Sequence, residues 1–248
     1  MRSQLSSRQI PYLLLFVLTG STLLVLPYSV TDPINLPKMV FMAIGVIGIL
    51  GLMLASDESK IRNTNYPFLF LTFSFIAVLM SQFLTTSGPK SETFYGIPGR
   101  NTGILTYLSF TIITWISFNV ATTSMIKKLF SLSATLGFIV VAYGNFQKAG
   151  KEPFPYLNVY ENNVFGTFGN PNFQSAFLGV ISVLAFSMLF AANLRLTLKA
   201  LYTILLILSL IGVYQTNSIQ GFFNFVIGSA IFLFLFFLLL LLFTLCPI

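Results

Sequence analysis

The chain has 248 residues, of which 56% are hydrophobic and only 8% charged, against roughly a quarter charged in a soluble domain. A soluble core of this length cannot hide so much apolar surface, so the composition points to lipid as the solvent and leaves no soluble domain. The net charge of +7 comes from basic residues scattered singly and in pairs between apolar runs, which fits positive-inside topology better than a nucleic-acid patch.

Cys246 is the only cysteine, and histidine is absent. An intramolecular disulfide is therefore impossible, and a standard zinc site or Ser-His-Asp triad lacks its histidine. No metal cluster or Gly-rich nucleotide loop is found, so no metal and no cofactor is expected.

A hydrocarbon layer of about 30 Å takes roughly 20 helical residues at about 1.5 Å each. Apolar stretches of that kind lie near residues 11–30, 38–55, 66–85, 103–124, 129–147, 171–192, 200–216 and 222–246. They predict an all-α, polytopic transmembrane helical bundle of about eight spans, forming a single membrane domain over 1–248. Helix is the required state, because lipid offers unpaired backbone groups no partner. The first run follows Arg2 and Arg8 but is too long for a secretory signal and has no small-residue cleavage site. Gly45, Gly48 and Gly51 sit at a spacing that lets helices approach closely, whereas Gly137, Gly144 and Gly212 interrupt the fifth and seventh stretches.

With the N-terminus in the cytoplasm, the inner segments carry Arg2, Arg8, Lys60, Arg62, Lys127, Lys128, Arg195 and Lys199. The outer ones carry Lys38, Lys90, Arg100, Lys148 and Lys151. The excess of basic residues inside predicts a cytoplasmic N-terminus and places the long loops 86–102 and 148–170 outside. Asn170 before Pro171 is a helix-start signal, and Asn101 or Thr102 is placed to cap the fourth span similarly. Exposed N–H groups and positive helix ends then gather at the outer face, beside Arg100, Lys90, Lys148 and Lys151, a surface suited to a phosphate or diphosphate. Every helix starting there has such an end, so the same pattern also suits an ordinary polar loop. The loops' aromatics, among them Tyr95, Tyr160 and Phe168, fit sugar stacking or an interfacial belt.

The runs Tyr95-Gly96-Ile97-Pro98-Gly99-Arg100-Asn101-Thr102-Gly103 and Gly166-Thr167-Phe168-Gly169-Asn170-Pro171-Asn172-Phe173 resemble outer-face motifs of the O-antigen ligase and polymerase family. Asp32-Pro33-Ile34-Asn35-Leu36-Pro37-Lys38 is similar to the first outer loop of many members. The resemblance implies a glycosyltransferase of the bacterial inner membrane. It would move glycan from a polyprenyl diphosphate carrier to a glycan or lipid acceptor, using arginine and histidine without a metal. On that expectation Arg100 contacts phosphate through its planar fork. Glu92 and Glu161 are the candidate acids for a sugar hydroxyl or proton, with solvated loop charges as the alternative. Lys38, Lys90, Asn101, Lys148, Lys151, Asn170 and Asn172 are the candidate substrate contacts.

The chain departs from the family in having no histidine, and Ile219 follows Ser218 where many members place a Ser-Arg pair. The resemblance covers only the N-terminal part of a usual member, so a truncated member is one expectation, and activity of this chain alone is in doubt. The alternatives are a lipid or sugar carrier of flippase type and a non-catalytic membrane remnant. The predicted spans hold no charged residue away from their ends, which argues against proton or sodium coupling.

Overall fold

The computed structural model describes residues 2–26, 32–55, 65–154, 160 and 163–245, with backbone alone for 2–8, 243 and 245. Their regular structure is entirely helical. The helices are α1 (Arg2–Leu23), α2 (Asn35–Ala55), α3 (Tyr66–Thr85), α4 (Lys90–Tyr95), α5 (Ile104–Val120), α6 (Thr123–Lys148), α7 (Pro171–Leu189), α8 (Leu196–Gln215) and α9 (Gln220–Leu245). Six of them, α2, α3, α6, α7, α8 and α9, are long and apolar enough to cross a membrane; Gln9–Leu23 and Ile104–Val120 are shorter apolar helices. Each apolar stretch of the sequence thus has its helix, and the chain is a polytopic helical membrane protein.

Several boundaries differ from the sequence pattern for local reasons. The first helix stops at Leu23 rather than near 30: Pro27, four residues on, has no N–H to offer the Leu23 carbonyl and disfavours a helical Leu26. The Leu26 N–H bonds instead to Pro33 O at 2.8 Å. The fourth stretch ends at Val120, and Thr122 restarts the chain by accepting from Met125 N–H at 3.2 Å, so α6 begins at Thr123 rather than 129. The 86–102 segment, expected to be irregular, contains the short α4.

Contacts divide the chain into two compact units, residues 1–129 and 130–248. In the first, Ile10, Leu14 and Val17 of α1 meet Met42, Val46 and Ile49 of α2, with Ile113 and Ile116 of α5 and Met125 completing the core. These residues recur every three or four positions, so each helix contributes one stripe. Gly45 abuts Val17, but Gly48 and Gly51 meet nothing among the described residues, which corrects the expectation of a three-glycine contact face. Helix α3 buries only Leu79. It is held to α5 by the stacked pair Phe68–Phe118, 4.4 Å between centroids, and by Phe75 against Tyr107.

In the second unit α7 is central. Ala134 of α6, Ile181 and Ala185 of α7 and Leu205 of α8 form its buried cluster, and the Ser182 and Ser209 hydroxyls meet at 2.8 Å. Gly137 and Gly212 do not interrupt their helices. A Cβ at Gly137 would come 2.6 Å from Ile181, and one at Gly212 would come 2.7 Å from Leu178, so each glycine admits a neighbouring side chain. On the other side of α7, a Cβ at Gly179 would lie 2.5 Å from Gly221 O, so only hydrogen fits between α7 and α9. Further along, Phe186 and Phe190 pack edge-on against Phe232 of α9.

Candidate functional site

In the 1–129 unit the segments 32–38 and 86–103 meet at one end of the helices. Asp32 begins this arrangement: its carboxylate accepts from the N–H groups of Ile34, Asn35 and Leu36 at 3.0, 2.9 and 3.2 Å, capping the start of α2. Asn35, thereby fixed, donates its side-chain N–H to Gly99 O at 2.6 Å. Two of the three segments that carry the family resemblance are therefore in direct contact. The turn that Asn35 contacts is tight. Gly96 lies at φ +91°, and Cβ atoms at Gly96 or Gly103 would collide with each other's backbone.

Beside this turn lies a cavity of about 280 Å³. Its polar lining comes from Gln82, Thr86, Glu92, Thr93, Thr102 and Tyr107. Thr86 and Thr93 donate to Gln82 O at 2.6 Å and Pro89 O at 3.3 Å, so towards a ligand their oxygens act as acceptors. The Glu92 carboxylate makes no hydrogen bond or ion pair among the described residues. Among the described residues, no cation lines the space. Hydroxyls, the Gln82 amide and one carboxylate, with no cation in the lining, suit a neutral, hydroxyl-bearing ligand and disfavour a phosphate.

Arg100 is exposed on the loop whose Gly96, Ile97, Thr102 and Gly103 wall the cavity, and its guanidinium has no partner among the described residues. Lys90 is committed elsewhere: its ammonium donates to Phe83 O, Leu84 O and Thr86 O at 2.5, 3.3 and 2.9 Å, closing the end of α3. Lys38 donates to Thr22 O at 3.0 Å. Neither Asn101 nor Thr102 caps α5; Gly103 holds that position without a side-chain bond. Asn101 instead sits at φ +50°, in the left-handed region that turns the chain, with its side-chain oxygen buried and unpartnered among the described residues.

In the 130–248 unit Asn170 caps α7 as the sequence predicts, accepting from Asn172 N–H at 2.8 Å with Pro171 in the first turn. Its amide nitrogen donates to the Tyr160 hydroxyl at 3.3 Å, so both polar atoms of this side chain have partners. Asn172, Lys148 and Lys151 are exposed at the same end of the unit. Glu161 lies outside the described residues.

An acid that sequence reasoning passed over is engaged here. Glu152 accepts from the Tyr143 hydroxyl at 3.0 Å and Gln147 Nε2 at 2.9 Å. Gln147 Oε1 in turn accepts the N–H groups of Phe165 and Gly166, each at 2.9 Å. Gln174 was also missed. It is only 1% exposed, and neither polar atom of its side chain has a partner among the described residues. Gly144 and Gly166 make room for it, as a Cβ at Gly144 would come 2.9 Å from Gln174 Nε2. Its only local signal was an amide one turn inside an apolar helix. No protein-family model, curated protein or solved structure matches the chain.

Proposed function

We propose that the chain handles a glycan carried on a polyprenyl diphosphate, transferring or polymerising it at the outer face of a bacterial inner membrane in the manner of the O-antigen ligase and polymerase family. The observation that carries this reading is the Asn35–Gly99 hydrogen bond, which joins two of the resembling segments beside a hydroxyl- and carboxylate-lined cavity. On this reading the cavity takes sugar hydroxyls, with Glu92 accepting from one of them. Arg100, outside the cavity wall and without a partner among the described residues, takes the diphosphate. The acceptor hydroxyl attacks the anomeric carbon, its proton passes to Glu92 or water, and the sugar–phosphate bond breaks to release lipid diphosphate. Negative charge develops on the departing oxygens, where a guanidinium fork stabilises it most. The N-terminus lies in the cytoplasm, following the distribution of Lys and Arg.

The test uses purified protein in proteoliposomes with a polyprenyl diphosphate-linked oligosaccharide and an acceptor glycolipid. Arg100→Ala is expected to lower transfer by about a hundredfold or more. Arg100→Lys should recover only part, because an ammonium lacks the two-pronged geometry. Transfer by the parent protein that Arg100→Ala leaves intact would remove Arg100 from the reaction, and no transfer by the parent would overturn the enzymatic reading.

A further inference from the structure

A second cavity in the 1–129 unit lies at the far end of α5. That helix runs from Ile104, in the wall of the first cavity, to Val120, a length of about 26 Å at about 1.5 Å per residue. Here Tyr12 and Leu15 of α1 face Thr122, Ser124, Met125 and Lys128 around a space of about 380 Å³.

The lining divides by chemistry. Leu15 and Met125 are buried and apolar, whereas Tyr12, Thr122, Ser124 and Lys128 bring hydroxyls and a full positive charge. The Lys128 ammonium sits 4.3 Å from the centre of the Tyr12 ring and donates to its hydroxyl at 2.6 Å. That contact fixes the charge at the cavity and leaves two further N–H donors for a ligand. Thr122 Oγ1 accepts from Met125 N–H, so its own O–H remains a donor.

Among the described residues, charge around this space is one-sided. No acid occurs in residues 1–31 or 93–151, which supply the whole lining. Asp57 and Glu58, in the connection between α2 and α3, are matched by Lys60 and Arg62 and lie outside the described residues. Beside the polar rim the surface turns apolar: Phe16, one turn further along α1, is 61% exposed, and Ile126 is 46% exposed.

We propose that this cavity binds the phosphate headgroup of an anionic phospholipid. Lys128 and the hydroxyls of Tyr12, Thr122 and Ser124 hold the phosphate oxygens, and an acyl chain follows the exposed face at Phe16. Positive charge beside hydroxyl donors selects a phosphate, and the adjoining apolar surface selects a lipid over the free ion. The site is independent of the glycan-transfer reading and of its cavity.

The test is native mass spectrometry of the full chain in detergent, with phosphatidylglycerol or phosphatidylcholine added. Phosphatidylglycerol should be retained in preference. Lys128→Gln should lower its retention about fivefold, the contribution of one basic residue at an anionic surface. Lys128→Arg and Lys127→Gln, the latter changing a neighbouring charge outside the lining, should retain it. If Lys128→Gln does not purify, Ser124→Leu, which fills the cavity from an exposed position, should give the same loss. Equal retention of the two lipids would overturn the proposal, as would equal losses in Lys127→Gln and Lys128→Gln. Displacement of phosphatidylglycerol by inorganic phosphate at matched concentration would assign the cavity to the free anion and overturn the lipid.

Discussion

Lys90 and Arg100 are cations of one loop, ten positions apart in the sequence, yet their surroundings give them different work. The Lys90 ammonium lies among three carbonyls at the end of α3, which otherwise have no helical partner. Lys90→Gln is therefore expected to speed amide hydrogen exchange in the last turn of α3, while Arg100→Gln leaves it unchanged. Similar exchange rates in the two variants would contradict the capping role. From the sequence alone both residues were candidates for phosphate, because charge is a property of the residue and its partners are a property of the fold. Asn170 was legible for the opposite reason. Its cap closes on Asn172, two residues away, whereas Gln147 reaches Phe165 and Gly166 across most of a long connection.

Among the elements, α7 and α3 mark two extremes of packing. Helix α7 buries residues on the sides facing α8 and α9, while α3 shows most of its apolar side chains to the surroundings. In water such a contrast would appear as amphipathic patterning. In lipid both the buried and the exposed faces are apolar, so the spans could be located by length and composition but their contact faces could not. The glycines make this concrete: Gly179 is pressed against Gly221, and Gly48 meets nothing among the described residues. Gly179→Leu should lower the thermal midpoint of the detergent-solubilised protein by several degrees, with Gly48→Leu close to the parent. Asn170→Ala, which removes the cap of α7, should cost about 1 kcal/mol of stability. A Gly48 variant as damaging as the Gly179 variant would refute this assignment of contact faces.

At the scale of the whole molecule, the inner and outer assignment rests on the distribution of Lys and Arg along the chain. It predicts that Thr93 and Lys151 face one aqueous side and Lys128 the other. In a Cys246→Ser background, single cysteines at positions 93 and 151 should react with a membrane-impermeant maleimide added to intact spheroplasts. A cysteine at 128 should react only after permeabilisation. Labelling of 93 and 151 from different sides would separate the two motif-bearing loops and end the case for a common outer face.

Gly96 and Gly103 approach each other backbone to backbone, and neither touches the side chains across the cavity from them. Shape and chemistry are thus written in different residues. Changes at Thr86, Thr93 or Thr102 can re-tune which hydroxyl pattern is preferred without unmaking the vessel, while a single methyl group at either glycine deforms the turn whatever the ligand. Diversification of this site among descendants of the chain would accordingly be confined to its lining side chains and forbidden at its two glycines.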